Sequence, residues 1–103
     1  MDLGSAWEWC ERAVTILACR EGTLEQRCQA AFREALAHAK PHLPESYLSE
    51  FRAIDRALVK ERCLSADEAW FLAMSIVRIT KQTTFLHAVD EAAVQRWQEG
   101  AGP

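Results

Sequence analysis

His38 and His42 stand four residues apart, a spacing that sets two imidazoles on one face of a helix and would suit a divalent metal ion. Pro41 interrupts that helix, no H-E-x-x-H motif accompanies the pair and no third ligand is near in sequence, so no metal is expected. Cys10, Cys19, Cys28 and Cys63 supply thiols for nucleophilic, metal or disulfide chemistry, but they form no C-x-x-C pair. Cys10 and Cys28 fall on apolar helical stripes, where a thiol behaves as a small hydrophobe. Covalent catalysis needs a base beside its nucleophile, and nothing in the sequence brings His87 to a thiol. The carboxylate pairs Asp67–Glu68 and Asp90–Glu91 fall in first turns of expected helices, where negative charge complements the helix dipole. No glycine-rich strand-to-helix turn is present to cradle a phosphate. A non-enzymatic protein without a cofactor is the expectation.

Nucleic acid is the next chemistry to weigh. Arg52, Arg56 and Lys60 recur every four residues along one helical face and Arg62 follows, so these four are the candidate phosphate contacts. Asp55 and Glu61 interrupt that field, and a net charge of -3 is the wrong balance for a chain whose main task is neutralising phosphates. A helix-turn-helix across Cys63–Ser65 fails as well, because a recognition helix exposes polar side chains whereas the stretch from Trp70 to Ile79 is nearly all apolar.

Four tryptophans in 103 residues are an aromatic surplus that points to binding or to core. Trp9 lies about 200° around its helix from Trp7, and Ile16 is one heptad beyond Trp9. The two are the candidate contacts for another protein or a second copy of the chain, unless a neighbouring segment of the same chain covers them. The alternative is an aromatic-lined pocket between helices for a small apolar or cationic ligand. Trp70, Met74 and Trp97 are its candidate residues, since ring faces hold cations and methionine adapts its shape.

The elements that position these residues are all read as helices. Residues 1–99 contain few glycines and prolines, and strong helix formers dominate. Three capping-box pairs, Ser5/Glu8, Thr23/Gln26 and Ser65/Glu68, mark helix starts, with Leu64 placed for a hydrophobic staple. Trp7, Cys10, Val14 and Leu17 give the first helix its stripe, and Gly22 is its left-handed stop. Leu24, Cys28, Ala31, Phe32, Ala35, Leu36 and Ala39 trace the second, which Pro41 and Pro44 end. Tyr47, Phe51, Ile54 and Leu58 form the seam of a third, from about residue 45 to 62.

The fourth helix, about 66–80, is apolar on every side and is expected to be covered on every side as the central element. β-Branched and polar residues between Ile79 and Thr84 predict a break before a fifth, with Leu86, Val89, Ala93 and Trp97 as its stripe. The expected protein is one all-α domain over 1–103, a compact bundle of four to five helices ordered over about 5–98, with a frayed tail at 99–103. With no apolar run near the ~18 residues of a bilayer span and no charged-then-apolar leader, the expected address is cytoplasmic and no membrane partner is expected.

Overall fold

The computed structural model describes residues 2–59 and 63–100, with side chains at 2–59, 63–93, 95 and 96. Among the described residues all regular structure is helical: α1 (Leu3–Cys19), α2 (Leu24–Ala31), α3 (Ala37–Ala39), α4 (Glu45–Val59) and α5 (Ala66–Gly100). A π-helical turn at Phe32–Leu36 joins α2 to α3 without a break, and a 3-10 turn at Lys40–His42 follows. Residues 24–42 are therefore one rod, and the fold is an all-α bundle of four rods. No helix among the described residues is long and apolar enough to cross a membrane.

The first rod begins earlier than the Ser5/Glu8 pair implies. The Asp2 carboxylate accepts from the Gly4 and Ser5 N–H groups at 3.0 and 3.4 Å and from the Ser5 hydroxyl at 2.7 Å, which places Ser5 inside α1. Along α1 the fully buried positions are Ala6, Cys10 and Ala13, with Leu17 nearly so, while Trp7 and Val14 are half-buried flanks. Small side chains on that line let the backbones of the neighbouring helices approach closely, and α1 packs against α2, the π turn, α3 and α5.

Local signals govern the turn into the second rod. Gly22 takes a positive φ of 119°, and Thr23 and Gln26 form the reciprocal capping box. The Arg27 guanidinium donates to the Leu17 carbonyl oxygen at the end of α1 (3.1 Å), and Arg20 grips both oxygens of Glu34 at 2.8 and 3.0 Å. In the π turn the Ala37 N–H reaches the Phe32 carbonyl five residues back, and Phe32, Ala35 and Leu36 all stay on the buried side.

Phe51, Ile54 and Leu58 bury the α4 seam, with the Phe51 ring 5.2 Å from that of Phe32. The Ser65/Glu68 box opens α5, and the Leu64 N–H donates to the Glu25 carboxylate at 3.2 Å, tying the connector to α2.

α5 departs from expectation in two ways. It does not break between Ile79 and Thr84 but runs for 35 residues. The β-branched residues there lie on its packed side: Ile79, Thr80 and Thr83 are buried, and the Thr80 hydroxyl donates to the Ile76 and Cys10 carbonyl oxygens. Burial against α1 outweighs propensity differences of ~0.7 kcal/mol or less per residue. Nor is α5 covered all round, because only one side meets α1, α2 and α4. Its described residues from Ala88 onward are exposed, so the helix reaches past the bundle. The tail expected at 99–103 is helical to Gly100, and 101–103 lie outside the described residues.

Candidate functional site

Successive residues of a helix are rotated by ~100°, so the two sides of α5 can be read from its numbering. Ala69, Leu72, Ala73, Ile76, Ile79, Thr80 and Thr83 occupy one arc and are buried. On the opposite arc stand Trp70 (60% exposed), Phe71 (71%), Met74 (41%), Phe85 (69%) and Val89 (45%). The two arcs are centred roughly 170–190° apart. From Trp70 to Val89 the uncovered stripe runs ~28 Å. Its middle is basic: Lys81 is exposed, and Arg78 donates to the Glu50 carboxylate of α4 at 2.9 Å. Beside Phe71 the stripe meets a shallow groove between α4 and α5, lined also by Ala53, Ala57, Leu64 and Ser75, of about 220 Å³.

The pocket expected from Trp70, Met74 and Trp97 is not formed. With α5 unbroken, positions 70 and 97 are ~40 Å apart along one helix and cannot line one cavity within the chain. Trp70 and Met74 do share a face, the exposed one. The Trp97 side chain lies outside the described residues. The groove at Phe71 is also smaller than the ~300 Å³ at which ligand pockets begin.

Trp9 and Ile16 are half-buried against the core of their own chain. Trp9 stacks on His38 with ring centroids 4.6 Å apart, and the Arg12 guanidinium lies over its ring at 4.7 Å. The second apolar side of α1 thus faces the rod that carries His38, which leaves it a lesser free surface than that of α5. Trp7, on the α5 side, stacks on His87 at 5.4 Å, and His87 Nε2 lies 3.3 Å from Glu91.

Arg52 and Arg56 are exposed on α4, where Arg56 Nε donates to the Arg52 carbonyl oxygen at 3.4 Å. Lys60 and Arg62, the other half of that basic face, lie outside the described residues. Cys10 and Cys28 are buried, and burial pushes both thiols up to about 11, far from a reactive thiolate at neutral pH. Among the described residues no three His, Cys, Asp or Glu side chains are grouped to hold a metal ion.

The residues missed from the sequence are Phe71, Phe85 and Val89 as one exposed stripe with Trp70 and Met74. Their signal was present in an apolar count too high for one face, but the expected break at 79–84 divided it between two helices. In comparisons with known proteins, no family model, no curated protein and no solved structure matches this chain.

Proposed function

We propose that this protein is a non-enzymatic interaction module that binds another protein chain through the uncovered stripe of α5. The observation that carries the reading is the exposure of Trp70, Phe71 and Phe85 on one arc of a helix whose other arc is packed from Ala69 to Thr83. At about 200 Å² per aromatic side chain, those three rings alone leave roughly 400 Å² of apolar surface in water, within the size range of functional patches. Aromatic rings with few rotatable bonds are also the residues that anchor protein interfaces. The unpaired thiols of Cys19 and Cys63, both exposed, suit the reducing cytoplasm as the place of action.

The test is the triple variant Trp70→Ser, Phe71→Ser, Phe85→Ser, melted at submicromolar concentration and assayed for association at up to about 500 µM. Exposed side chains away from special features contribute little to folding, so its melting temperature should stay within about 5 °C of the wild type while association is lost. A fall of more than about 10 °C would mean that the stripe is core for its own chain, and would end the proposal.

A further inference from the structure

Resting on the docking reading of α5, we infer that the partner is a second copy of this chain, its α5 laid antiparallel along the first across a twofold axis. The spacing of the exposed side chains carries the inference. Trp70 with Val89, Phe71 with Ala88, and Met74 with Phe85 are each centred on the same point of the helix, between Ile79 and Thr80. In an antiparallel pair centred there, each of these residues stands level with its counterpart on the other copy. Met74 and Phe85 lie ~20° apart around α5 and face the other copy directly, while Trp70 with Ala88 and Phe71 with Val89 lie ~50° to either side of that line, so across the twofold Trp70 flanks the other copy's Ala88 and Phe71 its Val89. A twofold interface requires one patch to be its own complement, whereas a surface for an unrelated protein has no reason to be palindromic.

Area agrees with this occupant. Two copies would bury roughly 800 Å² from the three rings alone. Met74, Val89, Ala88, Ala92 and the stems of Lys81 and Arg78 bring the total to about 1,000–1,200 Å², the lower end of specific interfaces. The same twofold point sets Lys81 level with the other copy's Arg78. That guanidinium is already held by Glu50 at 2.9 Å, so each lysine meets an ion pair rather than a bare cation. The residual charge at the centre is positive, and added salt screens it. Salt should therefore leave self-association unchanged or strengthen it, where docking of an acidic partner would weaken.

The experiment is light scattering or sedimentation of the full chain from about 1 to 500 µM, the range in which an interface of this size assembles. The mass is expected to climb from 11.7 kDa toward twice that value. Met74→Lys alone and Phe85→Glu alone should each remain monomeric, and their equimolar mixture should pair at least tenfold more tightly than either one. Phe71→Lys mixed with Val89→Glu repeats the test if either of the first variants loses its helical circular dichroism. A wild type that stays at monomer mass throughout overturns the second copy; the docking reading then survives if the triple serine variant remains folded, and falls if it does not. A dimer whose mixed variants fail to pair in both sets overturns the antiparallel register.

Discussion

Thr80 of α5 and Cys10 of α1 are joined by a hydrogen bond, the Thr80 hydroxyl donating to the Cys10 carbonyl oxygen at 3.3 Å. One turn along α5, Thr83 is wholly buried, and the polar group beside its hydroxyl is the Cys10 thiol, a weak hydrogen-bond partner. The two threonines should respond oppositely to valine. Thr83→Val replaces a hydroxyl paired only with a weakly bonding thiol by a methyl of the same shape and should stabilise by about 1 kcal/mol. Thr80→Val gives up bonds to Cys10 and Ile76 and should cost about 0.5–1.5 kcal/mol. Urea unfolding of both variants decides, and a destabilised Thr83→Val would mean that the hydroxyl has a working partner in the thiol.

The glycines make a second opposed pair. Gly22 holds a φ of 119°, and a Cβ there would stand 2.6 Å from Gln26 Oε1, the atom that accepts the Thr23 N–H in the capping box. Gly22→Ala should cost about 1–3 kcal/mol from left-handed strain and the disturbed cap together. Gly4 lies within α1, where an added Cβ meets Asp2 Oδ1 at 3.4 Å, an ordinary contact. Gly4→Ala should therefore stabilise by roughly 0.4–1 kcal/mol, by lowering the entropy of the unfolded chain. Thermal melts of the two variants should move in opposite directions.

Cys10 and Cys28 are buried and Cys19 and Cys63 exposed, so a thiol reagent should modify the latter two in the native chain and all four after unfolding. The buried thiols stand near 11 against an ordinary 9.0, which leaves about a hundredfold less thiolate at neutral pH. The same shift makes stability fall with alkali. Above pH 9 an unfolded thiol gives up its proton while the folded one keeps it, so this contribution is complete below pH 9 and is lost as pH rises toward about 11. Cys28→Ala should be less stable than wild type near neutrality, and the gap should narrow by roughly 1 kcal/mol per pH unit above about 9. A constant gap in denaturant midpoints across that range would refute the assignment.

What could be read from the sequence was what depends on near neighbours. Thr23/Gln26 and Ser65/Glu68 close within one helical turn, and Phe51, Ile54 and Leu58 face one way whatever they meet. Ser5/Glu8 misled because Asp2, three residues earlier, offers a carboxylate that takes the Ser5 N–H and hydroxyl for itself. The continuity of α5 and the stacking of Trp9 on His38 depend on α1 and α3 arriving from elsewhere in the chain, and no window of local pattern contains them. The exposed stripe was half legible. Periodicity identified a helix apolar on every side, but only packing shows which side the chain itself covers.

α5 should also differ along its length in how easily it opens. Around Ile76–Thr83 its amides lie against α1, with Ile76, Ile79, Thr80 and Thr83 buried, so their exchange requires large-scale unfolding. From Ala88 onward the described residues are exposed and the helix has lost its tertiary support, although it inherits a nucleus from the packed part. In dilute solution, amides from Val89 onward should exchange roughly a hundredfold or more faster than those of Ile79 and Thr80. Association in the proposed register lays Trp70 and Phe71 of one copy against Ala88 and Val89 of the other. Protection near residues 88–92 should then rise with protein concentration, while that of Ile79 stays constant. Hydrogen exchange read by mass spectrometry at low and high concentration separates the two regions, and equal protection along the whole of α5 in the monomer would contradict an unsupported overhang.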